Sequence, residues 1–108
     1  MEMAGNLTVL DKKNFDSFVR DGVAIVDFWA AWCGPCKIMG PIFEKASIEL
    51  KDKARFGKVD VDANPELAQR FDVLSIPTTI FFRDGKEFDV VSGVISAEEI
   101  ARRIKSKK

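Results

Sequence analysis

Hydrophobic positions along the chain switch repeatedly between strand-like runs and helical spacing. Leu7 to Leu10 is a short apolar run and predicts a strand. Asp11 follows where a helix cap belongs, with Leu10 and Phe15 spaced as a hydrophobic staple. Phe15, Phe18 and Val19 then recur on one helical face, and Asp21-Gly22 ends that helix. Val23 to Trp29 is almost continuously apolar, the pattern of a central strand covered on both faces. From Cys33 to about Leu50, the positions Ile38, Met39, Ile42, Phe43, Ala46 and Leu50 form the inward stripe of a long helix. Gly40-Pro41 lies inside it and predicts a kink, because proline lacks an amide donor and crowds the preceding turn.

Arg55 to Asp62 reads as a second inner strand. Asn64 is a good N-cap and Pro65 suits the first helical position, so Leu67, Ala68 and Phe71 face inward on a short helix. Thr78 to Arg83 and Lys86 to Ser92 flank Asp84-Gly85, a strong two-residue hairpin signal. Ser96 and Glu99 form a capping box, with Ile95 and Ile100 as its staple, ahead of a last helix rich in Arg and Lys. The order β-α-β-α-β-α-β-β-α predicts an α/β fold. Strands joined through helices run parallel and the final hairpin is antiparallel, so the sheet is a mixed five-stranded one with helices on both faces.

Composition narrows the reading. A chain of 108 residues is one domain, spanning residues 1–108, and can bury a core without staples. Hydrophobic residues at 46% and charged residues at 31% indicate a globular chain rather than a disordered one. Formal net charge is zero, so no global field recruits nucleic acid or anionic lipid, and the basic C-terminal residues are read as offsetting the last helix's negative end. No run reaches membrane-spanning length and the first ten residues lack a leader's pattern, which leads us to expect a cytoplasmic protein.

The two cysteines lie three apart in Trp32-Cys33-Gly34-Pro35-Cys36, between a strand and a helix. A structural disulfide framework uses more cysteines spread along the chain, and a bridge across so short a loop restrains the unfolded state little. Residues i and i+3 share a helical face, within reach of a disulfide after small local adjustment. Cys33 at the helix start meets free amides and the positive end of the dipole, which favour a thiolate and make it the nucleophile. Cys36, one turn inside, is expected to be more buried and less acidic. Cys33 would attack a disulfide in another protein, and Cys36 would then displace that protein by closing a Cys33–Cys36 disulfide. A zinc site needs about four ligands, and a lone CxxC in a chain without histidine supplies two, so no metal and no bound cofactor are expected.

The sequence resembles the thioredoxin family over nearly its whole length. A CxxC beside a βαβ pattern is itself the general signature of a thioredoxin-like redox motif. The resemblance is carried by Val26-Asp27-Phe28-Trp29-Ala30, Trp32 through Lys37, Pro41, Lys58-Val59-Asp60-Val61-Asp62, Asn64-Pro65, Ile76-Pro77-Thr78, and Asp84-Gly85 followed by Gly93. It implies a thioredoxin fold with a central mixed five-stranded sheet flanked by four helices. It also implies a protein-disulfide reductase acting as a monomer, with disulfide-containing target proteins as partners and a thioredoxin reductase to reload it.

Further positions acquire roles by this resemblance. Asp27 interrupts the most apolar strand. A buried carboxyl there has a raised pKa, and in a chain without histidine it is the best base for Cys36. Lys58 is implied to approach Asp27 and tune it. Pro77 is implied to be cis and to face the cysteines, leaving the Ile76 backbone to pair with an extended target segment. Trp32, Gly34, Pro35, Ile76, Pro77, Gly93 and Val94 are implied to form a flat apolar docking rim around Cys33. Trp29 is expected to pack near the site. The chain departs from the family's pattern at Leu74-Ser75, which often reads basic-glycine, and at Gly40, often alanine; the first bears on partner preference.

Two other readings are compatible with a CxxC domain. A glutaredoxin-like or oxidising catalyst usually carries different residues between its cysteines, and Gly34-Pro35 argues against both. A binding subunit that uses the same fold without turnover is separated by experiment rather than by sequence.

Overall fold

The computed structural model describes residues 5–106. Elements run β1 (Leu7–Val9), α1 (Phe15–Val19), β2 (Val23–Trp29), α2 (Gly34–Glu49), β3 (Arg55–Asp60), α3 (Pro65–Arg70), β4 (Thr78–Arg83), β5 (Lys86–Ser92) and α4 (Ala97–Ser106). The five strands form one mixed sheet in the order β1-β3-β2-β4-β5. β3 is parallel to β1 and to β2, β4 is antiparallel to β2, and β5 is antiparallel to β4. β2 is therefore the middle strand, as its apolar run predicts.

Side chains alternate across β2 and divide the core in two. Ile25 faces Met39, Phe43, Ala46 and Ile100 of α2 and α4, together with Phe56 and Phe81 of the neighbouring strands. Ala24, Val26 and Phe28 face Phe15, Val19 and Leu67 of α1 and α3. Phe15, Phe28, Phe71 and Phe82 stack edge-on or tilted within the second layer, at centroid distances of 5.1–6.2 Å. The thioredoxin fold expected from the resemblance is the one observed.

Several boundaries move, each for a hydrogen-bonding reason. Asp11 does not sit next to α1. Its Oδ1 accepts the amides of Lys13 and Asn14 while Asn14 Oδ1 accepts the Asp11 amide, closing a turn ahead of the helix. Leu10 and Val61 fall outside β1 and β3, yet their amides still reach the ladder through Lys58 and Trp29. Asp60 ends β3 early because its Oδ1 takes the amides of Asp62 and Ala63. Asn64 precedes α3 without capping it: its side-chain amide donates to the Asp60 carbonyl.

In α2 the buried stripe is Cys36, Met39, Phe43, Ala46 and Ser47, and the predicted Ile38 is 60% exposed. A stripe stepping by three and four from Cys36 leaves Ile38 about 130° off its axis. Pro41 lies inside the helix without ending it. The hairpin matches its prediction, with positive φ at both Asp84 and Gly85 as a I′ turn requires. Ser96 Oγ accepts the Glu99 amide, so one half of the capping box forms; the Glu99 carboxylate instead holds Arg102 and Arg103. The final basic residues Lys107 and Lys108 lie outside the described residues.

Candidate active site

The site forms where the middle strand ends and α2 begins. Cys33 is the N-cap of α2, with extended backbone geometry, and its Sγ accepts the Cys36 amide at 3.2 Å. A sulfur in that position receives the free amide and the positive end of the helix dipole, so a thiolate there is stabilised. Pro35 in the first turn has no amide to compete. Cys33 and Cys36 are joined by a disulfide with Cα atoms 5.2 Å apart. Their residues are 4% and 6% exposed, so burial does not separate them as expected. The two sulfurs differ instead in place, Cys33 Sγ lying at the helix terminus and accepting the Cys36 amide.

Ile76-Pro77 is a cis peptide. The Ile76 carbonyl lies 3.7 Å from Cys33 Sγ, which puts this loop against the motif although it is more than forty residues away in sequence. The Pro77 carbonyl in turn accepts the Gly93 amide at 2.8 Å, and Gly93 has a φ of +94° with open space where a Cβ would stand. Trp32 is 69% exposed, its Nε1 donating to Asp62 at 2.9 Å. Gly34, Pro35 and Val94 are exposed, Ile76 is half-buried and Pro77 is buried. A groove of about 490 Å³ runs on from this rim, walled by Trp32, Val61, Ala68, Val73, Leu74 and Ile76. Sequence reading does not find the Asp62 support of Trp32, nor the Ala68 and Val73 wall, because these residues meet only through the fold.

Asp27 sits on the face of β2 that looks toward α2 and is 1% exposed. Its register partners are Lys58 on β3 and Thr79 on β4, which continue the same face. Burial pushes the Asp27 carboxyl up to about 6, with the Lys58 charge pulling the other way. The Lys58 ammonium lies 4.5 Å from the centre of the Trp29 ring. Lys58 and Trp29 also line a cavity of about 330 Å³ with Ala30, Cys36, Lys37 and Gly40. That cavity brings the second sulfur and the ammonium to one space. Among the described residues no cluster of metal-ligating side chains occurs, and no helix is long and apolar enough to cross a membrane.

A mixed sheet whose central strand leads into a helix capped by a CxxC disulfide defines the class of dithiol-disulfide oxidoreductases. A sequence model of the thioredoxin family matches residues 6–106. The chain is 47% identical over 91 residues to a thioredoxin of Staphylococcus saprophyticus, covering 84% of this chain and 88% of that one. It is 48% identical over 88 residues to a thioredoxin of Staphylococcus aureus, covering 82% and 85%. Among solved structures it is similar to the thioredoxin of Malassezia sympodialis, with a TM-score of 0.82, 36% identity and coverage of 98% and 93%. A thioredoxin variant from Halobacterium salinarum matches with a TM-score of 0.86, 29% identity and coverage of 96% and 94%. The chain belongs to the thioredoxin family, whose members are disulfide oxidoreductases that act on disulfide-containing proteins and are reloaded by a reductase.

Proposed function

We propose that Cys33 is the attacking sulfur and Cys36 the resolving one in the reduction of protein disulfides. The observation that carries this assignment is the Cys33 sulfur at the N-cap of α2, accepting the Cys36 amide. In the reduced protein the Cys33 thiolate attacks one sulfur of a target disulfide, and the other target sulfur leaves as a thiolate. Asp27 takes the proton of Cys36, tuned by the neighbouring Lys58. The Cys36 thiolate then attacks Cys33, the target departs with its second thiolate, and the Cys33–Cys36 disulfide remains. The two electrons gained by the target come from the dithiol.

Docking in this reading uses the exposed ring of Trp32, with Gly34, Pro35, Ile76, Pro77, Gly93 and Val94 around it. An extended target segment pairs with the Ile76 backbone, and the open space at Gly93 admits its main chain. The protein works as a single domain and a monomer, in the cytoplasm, with a thioredoxin reductase as electron donor. No bound cofactor is needed, since the sulfurs themselves carry the electrons.

Trapping tests the assignment. Cys36→Ser should hold target proteins as stable mixed disulfides on Cys33, identified by mass spectrometry after lysate capture and released by dithiothreitol. Cys33→Ser should capture none. Equal capture by the two variants would reverse or abolish the assigned roles. Full biological activity in the Cys33→Ser, Cys36→Ser double variant would favour a binding subunit instead.

A further inference from the structure

Two buried side-chain oxygens lack a hydrogen-bond partner among the described residues, and they are Asp27 Oδ1 and Thr79 Oγ1. They do not lie at random. Asp27 and Thr79 are register partners across the antiparallel β2–β4 pair. The pair before them, Ile25 with Phe81, packs under α2 and α4, so by alternation both orphan oxygens face that same layer. Directly opposite residues on one face hold their Cβ atoms about 4.5–5.5 Å apart, within the sweep of a threonine rotamer and a carboxyl torsion. Thr79 is 0% exposed, in a strand whose other buried positions are apolar except Thr78, whose hydroxyl donates to the Ser75 carbonyl. An unpartnered hydroxyl there is a loss that valine, of nearly the same shape, would avoid.

We propose that Thr79 is a positioning residue for the Asp27 carboxyl, its hydroxyl donating to Oδ1 of the carboxylate and accepting from the carboxylic acid. The inference rests on Asp27 acting as the base for Cys36. The proton taken from Cys36 stays on Asp27; the Thr79 hydroxyl keeps its own proton and only turns from donor to acceptor. Asp27 is then flanked within one row of the sheet by an ammonium on β3 and a hydroxyl on β4. On α2, Cys36 and Lys37 line the same cavity as Lys58. A hydrogen bond to a charged acceptor is stronger than one to its neutral form, so the hydroxyl favours the carboxylate and opposes the effect of burial.

The test follows the Asp27 carboxyl carbon by NMR titration of the full chain in its oxidised form. Thr79→Val should raise the Asp27 midpoint by about 0.5–1 pH unit while leaving the protein at least as resistant to denaturant as the parent. Thr79→Ser, which keeps the hydroxyl, should restore the parent midpoint. An unchanged midpoint in Thr79→Val overturns the proposal, as does a rise in Thr79→Ser equal to that in Thr79→Val. The titration reads the pair directly. Whether Asp27 is the base is read separately, from the rate at which Asp27→Asn resolves a Cys33 mixed disulfide.

Discussion

Asp27 is the residue where folding and chemistry pull in opposite directions. It occupies the middle of the middle strand, nearly sealed from water, and its carboxyl is pushed up to about 6 against an ordinary value of 3.8. Between those two values the folded protein holds a proton that the unfolded chain has released. Stability therefore falls as pH rises through that window and levels off above it. Relative to Asp27→Asn, the oxidised parent should lose about 3 kcal/mol of stability between pH 3 and pH 8, read by denaturant unfolding at each pH. A gap that stays constant across the range would mean that Asp27 titrates normally and is no buried base. The sequence marks Asp27 as an interruption in an apolar run, and its depth follows because β2 is central. Thr79 carries no such mark: nothing in a run of β-branched and aromatic residues says which threonine faces a carboxyl.

At the scale of elements, two glycines show how neighbours decide the sign of a substitution. Gly40 stands inside α2, where the missing side chain costs helix stability, and a Cβ there would meet only the Lys58 Nζ at 4.0 Å. Gly57 stands inside β3, where a Cβ would lie 2.6 Å from Leu10 Cδ1 and 3.0 Å from Phe18 Cε2. Gly40→Ala should stabilise by about 0.5–1 kcal/mol, and Gly57→Ala should destabilise by about 1–3 kcal/mol through overpacking. Chemical denaturation of the two variants beside the parent checks both signs. Where local rules act alone, the sequence is legible to the residue, as at Asp84-Gly85 and at the Ser96 cap. Asn64 fails because its side chain, which would cap by accepting an amide at Oδ1, is held instead by its Nδ2 donating to the Asp60 carbonyl. Ile38 fails because a helix with apolar residues on two faces does not say which one meets the sheet.

At the scale of the whole molecule, the topology brings together two stretches distant in sequence. β2 delivers Cys33 to its carboxyl end, α2 starts there, and the return into β4 sets Ile76 and Pro77 against the same sulfur. The motif could be read from sequence because its spacing has a helical meaning. The contact with Ile76 could be anticipated only through the family resemblance, since no local rule joins residues so far apart. Burial does not rank the two sulfurs, so ionising one of them falls to the start of α2. The direct measurement is the pH dependence of alkylation of the reduced protein, with the labelled residue located by mass spectrometry. Cys33 should be modified first, with a midpoint well below the ordinary thiol value of about 8.5, while Cys36 stays unmodified until higher pH. Equal rates at both cysteines, each titrating like free cysteine, would contradict it.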